Sequence, residues 1–258
     1  MTQLVFITGA SSGIGQALAW RYYQAGYSLA LVARRTSEVE LWASQRGISV
    51  ERYKIYSADV ANIDSIVAAG QQCMQAQGVP DVVIASAGIS VGIDTAVRGD
   101  LDVMAQVFAV NNIGLAATFH PFIDAMVQRG SGRLVGIASV NGIRGLPGHG
   151  AYCASKAAVI NYCESLRGEL GPNGVRVVTI CPGYIDTPLT QKNRYAMPFL
   201  MQPQDFADKA FSAISAGDSY RVFPWQMGWL AKLLRVAPNA LFDKVLSGRP
   251  RKRRSGET

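Results

Sequence analysis

The chain predicts an α/β fold in which a parallel sheet is covered by helices on both faces. Three observations carry that expectation. Short apolar runs alternate with longer segments whose apolar positions recur every three to four residues, a glycine-rich turn joins the first run to the first such segment, and no repeat or linker breaks the rhythm up to about residue 183. Alternating strands and helices call for right-handed crossovers and a parallel sheet.

The apolar runs are Leu4–Thr8, Ser28–Ala33, Arg52–Tyr56, Val82–Ser86, Arg133–Ala138 and Val175–Cys181, each short enough for a buried strand. Helical segments begin near Gly13, Ser37, Ile63, Leu101 and Ala151, with a spacing such as Leu18, Tyr22 and Ala25. After Gly183 the rhythm changes. Prolines at 188, 198 and 203 mark a loop, a helix is expected over Gln204–Ala216 and a short strand over Tyr220–Phe223. The apolar stretch Trp225–Leu246 reads as two helices divided by Pro238. Residues 1–224 are thus expected to form one domain, with 225–258 as a C-terminal helical extension packed on it or appended to it.

With 49% hydrophobic and 17% charged residues, the chain can bury a sizeable core, and disorder throughout is excluded. Four scattered cysteines, Cys73, Cys153, Cys163 and Cys181, form no C-x-x-C pair, so neither a metal site nor a disulfide framework is expected. No stretch reaches the roughly 18 apolar residues of a membrane span, and the N-terminus lacks a secretory pattern, which suggests a cytoplasmic protein. The net charge of +7 is concentrated at the end, in Arg249, Arg251, Lys252, Arg253 and Arg254, opposed there by Glu257 alone. Without that tail about three charges remain, too few for a specific nucleic-acid binder. The tail itself reads as disordered and solvated.

Thr8-Gly9-Ala10-Ser11-Ser12-Gly13-Ile14-Gly15 lies between the first strand and the first helix, the position where glycines acquire meaning. Gly9 permits a tight turn, Gly13 lets backbone approach a diphosphate, and Gly15 allows close helix–strand packing. Ser11, Ser12 and Ile14 complete that loop, and the free N–H groups of the helix start favour phosphate charge. At the end of the second strand, where NAD sites usually place an acid, stand Arg34 and Arg35. A guanidinium pairs with a 2′-phosphate through two hydrogen bonds, so NADP(H) is favoured and NAD(H) stays possible. Solvated arginines are the plainer reading of the same pair. Asp59-Val60 after the third strand can meet an adenine, the carboxylate accepting from the amino group and the valine packing on the ring.

Tyr152 and Lys156 stand four residues apart, on one face if a helix opens there. A nearby ammonium stabilises phenolate and would lower the tyrosine pKa toward the range of a general acid or base. Ser139 ends the fifth strand at the carboxyl edge of the sheet, where open α/β folds bind ligands, and its hydroxyl can hold the oxygen that Tyr152 protonates.

With these motifs in this order the chain resembles the short-chain dehydrogenase/reductase family over about residues 3 to 188. The family's T-G-x-x-x-G-x-G appears as Thr8 to Gly15, and its catalytic serine as Ser139, thirteen residues before the Y-x-x-x-K tyrosine. Val110-Asn111-Asn112-Ile113-Gly114 matches the helix asparagine in a register that selects Asn111, and Pro182-Gly183 matches the P-G after the sixth strand. The resemblance implies a Rossmann-type doubly wound sheet of about seven strands and a homodimer or homotetramer. It also implies roles. Tyr152 would be the acid in reduction and the base in oxidation, and Lys156 would lower its pKa and bind the nicotinamide ribose. Ser139 would orient the carbonyl oxygen, and Asn111 would hold a water in a proton relay to Lys156. The backbone around Ile185 and Thr187 would meet the carboxamide. Two departures stand out. The family's N-N-A-G is Ala85-Ser86-Ala87-Gly88 here, so Ala87 and Gly88 are expected to keep the loop geometry, and Ser12 replaces the basic residue of many NADP-dependent relatives.

The function expected is hydride transfer between nicotinamide and a carbonyl or secondary alcohol of an apolar small molecule. A nucleotide-sensing regulator on the same fold and an NAD-dependent alcohol dehydrogenase are the alternatives. Ser90–Asp100 and Tyr184–Met201 should flank the pocket, with Met197, Phe199, Leu200 and Met201 as its apolar lining. His149 reads first as a hydrogen-bonded loop histidine and second as a residue facing substrate; His120 receives no role. The extension, with Trp225, Trp229, Leu230, Leu233, Leu234, Val236, Leu241, Phe242, Val245 and Leu246 among Lys232 and Arg235, is expected to pack as a lid or interface, with peripheral membrane contact as the second reading.

Overall fold

A computed structural model describes residues 2–191, 193, 196–248, 251, 252 and 254. Seven parallel strands lie in the order β3-β2-β1-β4-β5-β6-β7, the doubly wound arrangement. They are β1 Leu4–Thr8, β2 Ser28–Ala33, β3 Tyr53–Ser57, β4 Val82–Ala85, β5 Gly132–Ile137, β6 Val175–Pro182 and β7 Tyr220–Phe223. The direction of winding reverses between β1 and β4, so their carboxyl ends open the crevice in which such sheets bind ligands.

Strand periodicity sorts the core into two layers. Leu4 and Phe6 point to one face with Val83 and Leu134, whereas Val5 and Ile7 point to the other with Leu29, Leu31 and Val135. The first face is covered by α3 (Ile63–Gln77), α5 (Gly114–Arg129) and α6 (Gly150–Leu170), through Ile66, Phe119, Phe122, Met126, Val159 and Leu166. The second is covered by α1 (Gly13–Gln24), α2 (Thr36–Gln45) and α7 (Pro203–Ala216), through Leu18, Tyr22, Val39, Phe206 and Ile214. Phe6 meets Phe122 edge to face with ring centroids 4.8 Å apart. Burying a side chain of this size contributes about 1.5–3 kcal/mol.

Two strands and the expected β7 coincide with the runs read from the sequence; β3 to β6 shift by a residue at one or both ends. The segment expected to start near Leu101 is more elaborate. It comprises α4 (Arg98–Phe108), a π-helical turn over Ala109–Ile113, and α5. The C-terminal stretch forms α8 (Trp225–Val236) and α9 (Asn239–Leu246), divided at Pro238 as expected. Among the described residues no helix is long and apolar enough to cross a membrane.

Candidate active site

The glycine loop, Arg34-Arg35, Asp59-Val60, Ala87-Gly88, Ser139 and Gly183 all follow a strand's carboxyl end, while Asn111, Tyr152 and Lys156 come from helices. In the glycine loop, Gly9 has φ +72°, and a Cβ there would stand 2.9 Å from the Ala87 backbone. A Cβ on Gly15 would collide with the Gly9 carbonyl, and one on Gly13 would stand 3.1 Å from the Thr187 side chain. These contacts draw the loops after β1, β4 and β6 around one cleft of about 460 Å³. Its walls include Gly9, Ser11, Ser12, Gly13, Ile14 and Gly15. They also include Arg34, Arg35, Asp59, Val60, Ala87, Gly88 and Thr187.

Thr8 opens the glycine motif without a role of its own in the sequence reading, yet its Oγ1 accepts from the backbone N–H of Ser86 (3.1 Å) and of Ala87 (3.3 Å). The β4 loop is therefore held from β1. At the cleft mouth Arg34 lies 3.7 Å from Asp59, while Arg35 pairs with Glu38 at 3.2 Å and reaches Ser11 Oγ at 3.4 Å. Asp59 Oδ1 caps its own turn by accepting from Ala61 N.

The second cluster sits where β5 and the amino end of α6 meet. Ser139 caps the turn Val140–Gly142, its Oγ accepting from Asn141 N at 3.2 Å. A Cβ on Gly142 would stand 2.6 Å from the Lys156 backbone, so this turn lies directly on α6. Lys156 is buried, and its Nζ donates to the Ile137 carbonyl at 2.7 Å and lies 5.8 Å from the centre of the Tyr152 ring. Asn111, in the π-helical turn, donates to the Ile89 carbonyl and to Ser155 Oγ and accepts from Ile89 N through Oδ1. A Cβ on Gly88 would lie 3.3 Å from Asn111 Oδ1 and 3.5 Å from Lys156 Nζ, so that glycine separates cleft from cluster.

Ser155 was overlooked although it stands inside the tyrosine–lysine motif. Fully buried, it donates to the Tyr152 carbonyl at 2.8 Å and holds Asn111 at 2.9 Å. A small polar residue one position before Lys156 was the available signal. Thr190 was missed as well; its hydroxyl bonds the Ile185 carbonyl and accepts from Thr187 N. Gly183 N donates to the Phe223 carbonyl at 2.7 Å, anchoring the end of β6, where Pro182 pairs with Phe223, to β7. Ile185 is bridged to Met201.

The electrostatics differ from the expectation of a depressed tyrosine. Burial pushes the Tyr152 phenol up to about 12, opposed mainly by a hydrogen bond with Ser139. Burial likewise pushes the Lys156 amine down to about 8. Desolvation disfavours both charged forms and is the largest cause at each. The nearby thiols of Cys163 and Cys181 are pushed up to about 12 and about 11, again chiefly by burial, and offer no thiolate near neutrality.

An apolar cavity of about 700 Å³ opens beside this cluster. Its walls include Val140, next to Ser139, and His149, one helical turn before Tyr152, together with Tyr184. The lining expected from residues 197–201 is not what is found. Phe199 and Leu200 are exposed, Met201 packs into the core layer with α7, and Ala196 and Pro198 are the lining residues from that loop. The rest of the roof is Met227, Leu230, Ala231 and Leu234 of α8 and Leu246 of α9. Helix α8 also packs on Val140 and Val222, whereas the Val245 side chain lies outside the described residues. His149 is buried with Nδ1 3.1 Å from the Pro147 carbonyl, and burial lowers its pKa.

The tail corrects another expectation. Rather than being solvated, Arg254 forms a two-pronged pair with the buried Asp100 (2.6 and 3.2 Å) and a β-bridge with Gly92. Arg251 lies 3.4 Å from Asp94, and Lys252 donates to Asn193. The tail thus ties together the two loops expected to flank the pocket. Arg249, Arg253 and Glu257 lie outside the described residues.

Comparison with known proteins agrees with this architecture. The family model described as short chain dehydrogenase matches residues 3–197. An uncharacterized oxidoreductase of Myxococcus xanthus is 36% identical over 240 residues, covering 92% of this chain and 93% of that protein. Among solved structures, a short-chain dehydrogenase from Streptomyces avermitilis superposes with a TM-score of 0.80 at 23% identity, covering 95% of this chain and 94% of that one. An alcohol dehydrogenase from Thermococcus sibiricus, complexed with 5-hydroxy-NADP, gives 0.76 at 24% identity, covering 86% of this chain and 96% of that one. With the family model spanning most of its length, the chain belongs to the short-chain dehydrogenase family.

Proposed function

We propose that the protein is an NADP(H)-dependent oxidoreductase that interconverts a carbonyl group and a secondary alcohol on an apolar small molecule, with Tyr152 as the proton donor and acceptor. The observation that carries this reading is the placement of Ser139, Tyr152, Lys156 and Asn111 at one sheet edge, next to a glycine-lined cleft and an apolar cavity.

The cleft suits a dinucleotide because Gly9, Gly13 and Gly15 let its loops close up around it: a Cβ at each would meet the Ala87 backbone, the Thr187 side chain and the Gly9 carbonyl. The α1 N-terminus at Ser12 has no side-chain cap, so its N–H groups are available to a diphosphate. Arg34 and Arg35 would hold a 2′-phosphate, Asp59 and Val60 the adenine, and Lys156 the nicotinamide ribose. Ala87, Gly88, Pro182, Gly183, Ile185 and Thr187 would border the nicotinamide. When bound, the cofactor supplies or accepts the hydride.

In the direction of reduction, Ser139 Oγ holds the substrate oxygen and the Tyr152 hydroxyl delivers a proton to it. The Tyr152 phenol, raised by burial, is protonated at neutral pH and so has a proton to give. In oxidation the proton returns to Tyr152, and a cationic Lys156 stabilises the phenolate. Asn111, through its grip on Ile89 and Ser155, shapes the path by which Lys156 is resupplied with protons. A homodimer or homotetramer accompanies this reading, and sedimentation velocity tests it.

Fluorescence titration with NADPH and NADH tests the cofactor reading. NADPH should bind more tightly, and Arg34→Asp should erase the preference. Tighter NADH binding would overturn it. Tyr152→Phe should abolish turnover across a panel of apolar ketones and aldehydes while sparing NADPH binding.

A further inference from the structure

Helix α8 has two apolar faces, and only one is used by the fold. Met227 and Ala231 are buried inward, over the cavity. Trp225, Trp229, Leu233 and Val236 recur at helical spacing on the outer side and are 65%, 69%, 67% and 78% exposed. They form one stripe about 16 Å long. Leu241 of α9 is also exposed. Isolated apolar residues on a surface are ordinary, but two tryptophans and two aliphatics in a continuous row are not.

The charges around the stripe indicate what it meets. Lys232, Arg235 and Lys244 are exposed on the same two helices, against Asp243 as their exposed acid. Lys232 stands 5.8 Å over the Trp229 ring. Arg251 and Arg254 are engaged with Asp94 and Asp100, so the basic residues counted toward this face are those of the helices. Exposed tryptophans beside lysine and arginine match the boundary between lipid headgroups and acyl chains. A second copy of the chain related by a twofold axis would instead bring like charges together.

We propose that the outer face of α8 docks the protein on an anionic lipid bilayer, with Trp225, Trp229, Leu233 and Val236 entering the interface and Lys232, Arg235 and Lys244 meeting lipid phosphates. The contact is peripheral, since no described helix is long and apolar enough to span a membrane. It stands on surface chemistry alone and is independent of the roles given to Ser139, Tyr152 and Lys156.

The full chain should co-sediment with vesicles of phosphatidylcholine mixed with phosphatidylglycerol and much less with phosphatidylcholine alone. Trp229→Glu and the pair Lys232→Glu, Arg235→Glu should each weaken binding by about tenfold or more. Tyr152→Phe should bind like the wild type, which separates failure of this proposal from failure of the catalytic reading. Brominated lipid in the mixed vesicles should quench wild-type tryptophan emission more than that of a Trp225→Phe, Trp229→Phe variant, a readout that does not depend on the charge variants folding. Absence of vesicle binding, or equal binding by wild type and Trp229→Glu, would overturn the proposal. So would a concentration-dependent dimer, without vesicle binding, that Trp229→Glu dissociates; the stripe would then belong to a second copy.

Discussion

Arg254 holds both carboxylate oxygens of Asp100, a residue 154 positions earlier in the chain. The pairing, and the backbone N–H of Asp94 that also bonds Asp100, keep its carboxyl below the usual range. A fork of two parallel bonds fixes direction as well as contact, which a single lysine cannot do. The tail therefore has a defined seat against the start of α4.

That seat predicts protection from proteolysis. Arg254→Ala or Asp100→Asn should release the tail and speed tryptic cleavage at Arg251 and Lys252 several-fold, as read by mass spectrometry over time. Equal cleavage rates in wild type and variants would show that the pair does not retain the tail.

A second prediction concerns pH. The Lys156 amine has its pKa lowered from 10.5 to about 8 in the folded chain, chiefly by burial. Between those values the unfolded chain binds the extra proton, so the lysine's contribution to stability rises with pH across that window. Below about 8 its cost is present in full. Buried thiols and Tyr152, whose pKa values are raised, act in the opposite sense at higher pH. The comparison that isolates the lysine is therefore wild type against Lys156→Met. Urea unfolding should show the wild type gaining on the variant by on the order of 1–2 kcal/mol from pH 8 to pH 9.5. A pH-independent difference would contradict it.

Gly9→Ala should be severe. It combines a positive φ with a Cβ 2.9 Å from the Ala87 backbone, which cannot move without disturbing the bonds from Thr8. Strain of this kind costs about 1–3 kcal/mol. NADPH affinity should fall more than stability does, as measured by titration and thermal melting in parallel.

Ser155→Ala tests a positioning residue. The change leaves a buried Asn111 N–H without its partner, at a cost of about 1–3 kcal/mol. Turnover should drop about tenfold and the alkaline limb of the kcat profile should shift, because Asn111 lies by Gly88 and Lys156, while NADPH affinity holds. A lowered melting temperature with an unchanged pH profile would make Ser155 merely structural.

Much of this was legible in the chain because it is local. The glycine turn, the alternation of strands and helices and the Tyr152–Lys156 spacing are patterns within a few residues of one another. What escaped depends on distant partners. In the sequence Asp100 is only the end of a segment expected to flank the pocket, and Arg254 one charge in a basic tail; nothing local joins them. The cavity lining was misassigned for a similar reason. Phe199 and Leu200 have the composition of a wall, but α8 reaches that wall first through Met227 and Ala231. The rise of the Tyr152 pKa is not legible in the sequence, because its chief cause is burial, whereas a nearby lysine is visible four residues away.

The π-helical turn at Ala109–Ile113 has a consequence of its own. It is a matter of phase. A π turn accommodates one residue more than a regular helix would, so removing a residue there would let α4 and α5 join as an uninterrupted α-helix. Such a deletion would leave helix propensity and core composition almost intact. It would leave α4 and α5 in phase and remove only the widened turn that carries Asn111. Phe119 and Phe122 would keep their places against the sheet, while Asn111 would lose the turn from which it faces Ile89 and Ser155. At this point of the chain the length of the sequence, as much as its chemistry, encodes where Asn111 stands.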